Sequence, residues 1–98
     1  MPAVTRIGDG STGHGPWPPR PSTGGSGDVF ANGIGVVRQG DTWRPHNGGP
    51  NAPHKGEIGI TSAGSGTVFA NTKPIARIGD PVEDDAIAAG SPNVFAGG

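Results

Sequence analysis

The chain repeats one short motif three times, and this repetition constrains its fold more than any other feature. The motif reads Gly-Ser-x-x-Val-Phe-Ala, and five of its seven positions are identical in every copy. A second motif, Arg-x-Gly-Asp, also occurs three times. The first motif occupies residues 25–31, 64–70 and 90–96, and the second occupies residues 6–9, 38–41 and 77–80. Such repetition predicts a fold assembled from similar units.

The two motifs belong to one repeating unit, and the third unit is divided between the chain ends. Residues 29–41 and residues 68–80 each run thirteen residues from Val-Phe-Ala to Gly-Asp. The third copy starts at the end of the chain, and the first nine residues supply its missing half. Chain ends of compact domains often lie close together. The sequence therefore predicts a closed ring of three units with pseudo-threefold symmetry, formed by residues 1–98 as a single small domain.

Each unit is predicted to be a β-hairpin. Val-Phe-Ala is a β-prone run, and the Asn32-Gly33 pair after the first copy favours a two-residue turn because both positions tolerate a positive φ. Asn71-Thr72-Lys73-Pro74 is a looser version of that turn. A helical turn is conceivable only over residues 83–89. The expected fold class is all-β, with three packed hairpins and little or no helix.

The repeated side chains are open to two interpretations. Phe30, Phe69 and Phe95 occupy equivalent positions, and we expect them to form plain hydrophobic core. The alternative is that they face a threefold-symmetric partner. The Arg-x-Gly-Asp motifs are expected to be structural corners, in which Arg and Asp pair with each other or with a neighbouring unit, rather than direct partner contacts.

The composition indicates that the fold needs a staple, meaning a stabilising element other than its hydrophobic core. Gly and Pro supply 31 of the 98 residues, and only 31% of the chain is hydrophobic. A core this thin contributes little net stability at this size. The chain has no Cys, so the staple is a metal or a partner protein rather than a disulfide.

Charge and hydropathy restrict the partners and the location. The net charge is −1, and no basic run occurs, which disfavours nucleic-acid binding. No apolar stretch is long enough for a transmembrane helix. The N-terminus also lacks the apolar region of a signal peptide, so we expect the protein to be synthesised in the cytoplasm.

The three histidines lie in the segments that connect the units. These segments are residues 10–24, 42–63 and 81–89, and each follows a Gly-Asp corner, so ring closure places them at one end of the molecule. His14, His46 and His54 could then share one ion such as Zn²⁺. The third segment has no His, but Glu83, Asp84, Asp85 or a water could supply a fourth ligand.

Two further interpretations concern the same end of the molecule. A three-His site with an open position is also the arrangement of a small zinc-dependent hydrolase, for which Glu57 or Asp84 could act as base. Trp17 and Trp43 lie in the histidine-bearing segments. We expect both to shield this end from water.

The residues around the second hairpin resemble a known family. Pro74-Ile75-Ala76-Arg77 is similar to the Pro-Ala-Ala-Arg motif that names the PAAR-repeat proteins. The flanking runs Val68-Phe69-Ala70-Asn71 and Ile78-Gly79-Asp80-Pro81-Val82 resemble that family's pattern as well. Gly35-Val36-Val37-Arg38 and Ala3-Val4-Thr5-Arg6 are degenerate copies. The resemblance covers essentially the whole chain.

The resemblance implies a cone that sharpens the tip of a membrane-piercing spike. Such cones belong to type VI secretion systems and contractile-tailed phages. The base docks on the blunt end of a trimeric β-helical spike, one cone per trimer, and the tip contacts the target membrane transiently. With no room in this chain for a toxin domain, we expect a bare structural tip and no enzymatic activity.

The resemblance also implies a zinc ion near the apex of the cone, held by three His and one Cys. His14, His46 and His54 match the three histidines, and Asp84 stands at the position of the Cys. The fourth ligand is therefore open between Asp84, its acidic neighbours and water. Iron is a possible substitute for zinc once the soft sulfur is gone.

Overall fold

The computed structural model of the chain describes residues 1–15, 17–45, 59–83 and 85–98. Within these residues the protein is all-β and contains no helix. Its strands are β1 (Phe30–Ala31), β2 (Ile34–Gly35), β3 (Thr42–Trp43), β4 (Gly59–Ile60), β5 (Phe69–Ala70), β6 (Lys73–Pro74), β7 (Pro81–Val82) and β8 (Asp85–Ala86). They pair in chain order as four antiparallel hairpins, β1–β2, β3–β4, β5–β6 and β7–β8.

The segment considered for a helical turn forms a hairpin instead. Residues 83–89 include β8, which pairs back onto β7. Glu83 has a φ of 55°, a left-handed conformation that a right-handed helix does not contain. The helical interpretation of this segment is therefore wrong.

The three predicted hairpin units share one register. Phe30 pairs with Gly35, and Phe69 pairs with Pro74. In the third unit a bridge joins Phe95 to Ala3 across the two chain ends. The amides of Val36, Ile75 and Val4 donate equivalent hydrogen bonds to the carbonyls of Val29, Val68 and Val94, at 3.1, 3.0 and 2.9 Å. The prediction that the third unit is shared between the termini is confirmed.

A closed ring of backbone hydrogen bonds joins the units. The amide of Thr5 donates to the carbonyl of Ala76 at 3.0 Å, and the amide of Ala76 donates to the carbonyl of Val37 at 2.8 Å. The amide of Val37 donates to the carbonyl of Thr5 at 2.9 Å. Each unit donates once and accepts once, so the cycle returns to its start, as rotational symmetry requires. The overall dimensions are 39 × 23 × 21 Å, and the two similar short dimensions fit a body with rotational symmetry.

The two hairpins that lie within the chain turn through the same left-handed pair of residues. The φ angles are 55° at Asn32 and 76° at Gly33, and 53° at Asn71 and 68° at Thr72. The Asn-Gly turn is confirmed. The second turn is not looser, because Thr72 adopts the same backbone conformation although a β-branched residue disfavours it.

The serine of the repeated motif holds this geometry in place. Within each copy its hydroxyl accepts a hydrogen bond from the valine amide three residues later. These bonds join Val29 to Ser26, Val68 to Ser65 and Val94 to Ser91, at 2.8, 2.9 and 2.9 Å. Each hydroxyl also donates to the hairpin turn of the next unit, at Asn71, Gly97 and Asn32 respectively. The repeated serine therefore stabilises the backbone of its own unit and links that unit to the turn of the next one.

The glycine of the repeated motif permits a close approach of two backbones. A Cβ at Gly64 would lie 2.6 Å from the carbonyl oxygen of Ile75. Because backbone cannot rotate away as a flexible side chain does, we expect Gly64→Ala to lower the free energy of unfolding by about 1–3 kcal/mol. Urea denaturation followed by circular dichroism measures the loss.

Gly27 provides the matched control for this substitution. A Cβ at Gly27 meets no atom within 4 Å, so Gly27→Ala is expected to change the free energy of unfolding by no more than about 0.5 kcal/mol. Equal losses from both substitutions would contradict the steric explanation of the repeated glycine.

The first hydrophobic core lies on the threefold axis between the hairpins. It contains Val4, Ala31, Val36, Ala70, Ile75 and Ala96, each at most 6% exposed. Adjacent residues of a strand point to opposite faces, so the buried alanines place the preceding Phe30, Phe69 and Phe95 outside. These phenylalanines are 56%, 54% and 49% exposed. The prediction that they form plain core is therefore wrong, since the alanine that follows each phenylalanine occupies the inward-facing position of the strand.

The second core lies on the opposite side of the hydrogen-bonded ring. It contains Val37, Trp43, Ala76, Val82 and Ile87, all essentially inaccessible to solvent. The indole N–H of Trp43 donates to the hydroxyl of Thr61 at 2.8 Å. Trp43 is therefore the centre of a core and does not simply cover the end of the molecule.

The Arg-x-Gly-Asp motifs are structural corners, as predicted. Arg and Asp of the same motif pair through Nε and Oδ2 at 2.9 Å in Arg6–Asp9, 2.8 Å in Arg38–Asp41 and 3.0 Å in Arg77–Asp80. The intervening glycines have φ angles of 92–95°, which favour glycine. The hydrogen bond to its aspartate raises the pKa of each guanidinium, so the three arginines stay charged at any ordinary pH.

Candidate functional site

The three connecting segments leave the body at one end, which we call the apex. Their stems pair at equivalent positions, Gly10 with Pro21, Thr42 with Ile60 and Pro81 with Ala86. Bridges between neighbouring stems close another ring, Ser11 with Ile87, Ser22 with Trp43 and Thr61 with Val82. The apex is therefore a threefold arrangement of stems, as the sequence predicted.

His14 lies near the tip of the first segment. It exchanges two backbone hydrogen bonds with Trp17, each of 2.9 Å, as facing residues of a narrow hairpin do. The two side-chain rings lie 4.9 Å apart between centroids and are inclined by 30°. The partly buried Trp17 therefore covers one face of the imidazole, in agreement with its predicted shielding role.

A buried polar cluster lies beside this imidazole. The side chain of Asp85 is 0% exposed, and that of Arg20 is 4% exposed. Asp85 Oδ2 accepts hydrogen bonds from Ser11 Oγ at 2.7 Å and from Arg20 Nε at 3.2 Å, and Oδ1 contacts His14 Nδ1. These four residues, the apical cluster, tie the first segment to the third.

Arg20 occupies space that Gly59 leaves open. A Cβ at Gly59 would lie 2.5 Å from the guanidinium carbon of Arg20. Arg20, Gly59 and Asp85 hold equivalent places in the three stems, facing Ser11, Trp43 and Val82. One cation, one anion and one glycine therefore fill a single layer around the axis. The strand β4, which contains Gly59, packs against this ion pair.

The structure places only part of the predicted metal site. His14 lies at the apex, whereas His46, His54 and Asp84 lie outside the described residues. Glu83 and Asp85 are described, and Asp85 contacts His14. Among the described ranges, no group of three His, Asp or Glu side chains is close enough to hold an ion. The zinc prediction therefore stays a prediction. So does the hydrolase alternative, which uses the same three histidines and whose candidate bases, Glu57 and Asp84, both lie outside the described residues.

A second candidate surface lies at the opposite end, the base, where the hairpin turns are. It carries the half-exposed Phe30, Phe69 and Phe95 on equivalent strands. Ile34, Val68 and Val94 add apolar surface there, with exposed fractions of 40%, 37% and 36%. The base therefore presents an apolar patch with the same threefold arrangement as the backbone beneath it.

Sequence reasoning missed the buried ion pair of Arg20 and Asp85, although the sequence contains a signal for it. Counting back five residues from the glycine of each Gly-Ser repeat leads to Arg20, Gly59 and Asp85. Threefold symmetry brings these three positions together. Opposite charges at two of them, with a glycine at the third, indicate a pair that uses the space of the missing side chain.

The comparisons with known proteins agree with the repeat structure. A family model described as PAAR motif matches residues 12–88, more than three quarters of the chain. No curated protein matches the chain. The part of the chain that the structure describes offers no helix of sufficient length and apolarity to span a membrane.

Proposed function

Because the chain belongs to the PAAR motif family, we propose that it is the structural tip of a contractile injection apparatus, either a phage tail or a type VI secretion system. In this role it caps and sharpens the blunt end of a trimeric β-helical spike, assembles with that spike after synthesis in the cytoplasm, and meets the target membrane transiently. The role is mechanical, and no enzymatic step is part of it.

The observation that carries the proposal is the apolar base. Three phenylalanines about half exposed, on strands related by pseudo-threefold symmetry, are costly to leave in water, and burying the exposed half of each contributes roughly 1 kcal/mol. Large apolar side chains left exposed at three equivalent positions indicate an interaction site. A trimeric spike presents three identical binding sites around its axis. One chain therefore occupies all three sites of one trimer, with one phenylalanine at each subunit.

The closed backbone ring suits the proposed mechanical role. Force along the axis reaches all three units through the cycle of Thr5, Val37 and Ala76, whose hydrogen bonds are 2.8–3.0 Å long. The three ion-paired corners lie between this ring and the apex stems. A single chain with a symmetric base can therefore match a true trimer and still end in one asymmetric apex.

We further propose that one structural metal ion, zinc or iron, braces the apex. The candidate ligands are His14, His46, His54 and Asp84. The described donor fits such an ion, since the imidazole of His14 suits either metal, and His14 lies partly buried between Trp17 and Asp85. When bound, the ion would hold the segments together where the hydrophobic core ends, as closed structural sites do.

The docking proposal predicts that the base phenylalanines are hot spots. With the β-helical spike trimer of the same apparatus as the probe, we expect one chain to bind per trimer. We expect Phe69→Ser to weaken binding about 30-fold and the triple variant F30S/F69S/F95S to abolish it, because the apolar contact is lost. Isothermal titration calorimetry gives the affinity, and light scattering gives the stoichiometry.

The matched control removes an exposed apolar side chain that is away from the base. Ile60 lies in β4, one of the apex stems, and is 38% exposed, so I60S is expected to bind as the unaltered protein does. The proposal fails if the triple variant, verified as folded by circular dichroism, binds as tightly as the control, or if two or three chains bind per trimer.

A further inference from the structure

We propose that Asp85 is a positioning residue that fixes the ring of His14 so that its Nε2 atom, and not Nδ1, binds the metal ion. This inference rests on the proposed metal site and assigns a role to a residue outside its four candidate ligands. The inference follows from the different partners of the two carboxylate oxygens of Asp85 at the apex.

The two oxygens of Asp85 are both committed within the apical cluster. Oδ2 accepts the hydroxyl of Ser11 at 2.7 Å and the guanidinium Nε–H of Arg20 at 3.2 Å. Oδ1 contacts His14 Nδ1. A carboxylate so engaged, with a side chain that is 0% exposed, cannot turn toward an ion without breaking a buried ion pair. Asp85 therefore acts behind the histidine, and Asp84 stays the candidate carboxylate ligand.

The contact with Asp85 selects one tautomer of His14. A carboxylate oxygen only accepts hydrogen bonds, so the Nδ1 atom that contacts it carries the ring proton. The lone pair of the neutral ring is then on Nε2, the atom through which the imidazole can bind a metal. Carboxylate–histidine–metal arrangements of this kind orient the ring and increase its basicity.

The cluster also explains how the third segment contributes without a histidine of its own. The hydroxyl oxygen of Ser11 accepts a hydrogen bond from the backbone amide of Arg20 at 3.1 Å. The first segment therefore holds in place the two residues that bind the carboxylate. The third segment contributes Asp85, whose carboxylate binds to these two residues. The ring of His14 is then held between the carboxylate on one side and the indole of Trp17, 4.9 Å away between centroids, on another.

The tautomer of His14 tests the inference directly. We label the histidines with ¹⁵N, load the full chain with Zn²⁺, and record long-range ¹H–¹⁵N correlation spectra, with His14 assigned by backbone connectivity. The expected result is a proton on Nδ1 and zinc coordination through Nε2. A proton on Nε2 with zinc on Nδ1 overturns the inference, and so does a His14 ring that binds no zinc.

A substitution provides the second measurement. Asp85→Asn is expected to weaken Zn²⁺ binding 10- to 100-fold, measured by chelator competition, in a protein that keeps a dispersed amide spectrum. Asp28→Asn removes a carboxylate at the base, where Asp28 accepts from Asn71 at 2.6 Å, and should leave zinc affinity unchanged. Equal affinity of the Asp85→Asn variant and the unaltered protein overturns the positioning role alone. If the unaltered protein takes up no zinc, both the metal proposal and this inference fail.

Discussion

Arg20→Met is expected to lower the free energy of unfolding by about 3–5 kcal/mol, since removing one partner of a buried ion pair leaves the other charge without compensation. Asp85 keeps its place under the apex with a side chain that is 0% exposed. The hydroxyl of Ser11, which also donates to Oδ2 at 2.7 Å, is neutral and does not replace the cation. Guanidinium denaturation of the purified variant measures the loss.

Two other substitutions separate the buried pair from a general effect of lost charge. Arg20→Lys keeps the cation but not the planar guanidinium, so its loss should be smaller than that of Arg20→Met. Arg44→Met removes an exposed arginine from the start of the second segment, and its effect should stay within about 0.5 kcal/mol. Losses of the same size at positions 20 and 44 would refute the stabilising role of the ion pair.

The symmetric backbone was predictable because its sequence signals concern the backbone itself. The repeated glycine marks a close approach of two main chains, as Gly64 does against the carbonyl of Ile75 at 2.6 Å. The repeated serine accepts an amide of its own unit and reaches the next turn, as Ser26 does with Val29 and Asn71. Such requirements are identical in every unit, so they appear as repeated letters, and the split of the third unit between the termini can be recognised from them.

The position of the phenylalanines was not predictable from hydrophobicity alone. A ring of equivalent aromatic residues fits a core in a symmetric trimer of units, and the large apolar area of Phe favours burial. In a two-residue strand, however, either Phe69 or Ala70 can face the axis, and periodicity over two residues does not decide between them. The narrow space between three converging hairpins decides it, because the alanine methyl fits there and Ala70 is 2% exposed.

The apex was predictable in position but not in its chemistry. The Gly-Asp corners placed the segments at one end, where the sequence also placed His14. Arg20 and Asp85 belong to connecting segments of different length, yet they lie in the same layer and form an ion pair. The sequence shows that their positions are equivalent only when the three segments are aligned backward from the Gly-Ser repeats. The spacing of two adjacent acidic residues does not by itself assign separate roles to Asp84 and Asp85.

Trp43→Ala is expected to lower the free energy of unfolding by about 3–5 kcal/mol, the usual range for truncation of a buried aromatic residue. Trp43 is 0% exposed and is the largest of the fully buried side chains. Its neighbours in the second core include Val37, Val82 and Ile87. Because these side chains are anchored by hydrogen-bonded stems and the central ring, they cannot collapse to fill the space, so the loss includes a cavity as well as lost burial. Urea denaturation followed by far-ultraviolet circular dichroism measures it without depending on tryptophan fluorescence.

Two related variants assign this loss to packing. Trp43→Phe keeps most of the apolar volume and removes the N–H that donates to Thr61 at 2.8 Å. That hydroxyl still donates to the carbonyl of Asp41 at 3.0 Å, so this variant should lose only about 1 kcal/mol. Trp17→Ala truncates the other tryptophan, which is partly buried at the apex, and should cost less than Trp43→Ala. Equal losses of stability from the two alanine variants would contradict the role of Trp43 as the centre of the second core.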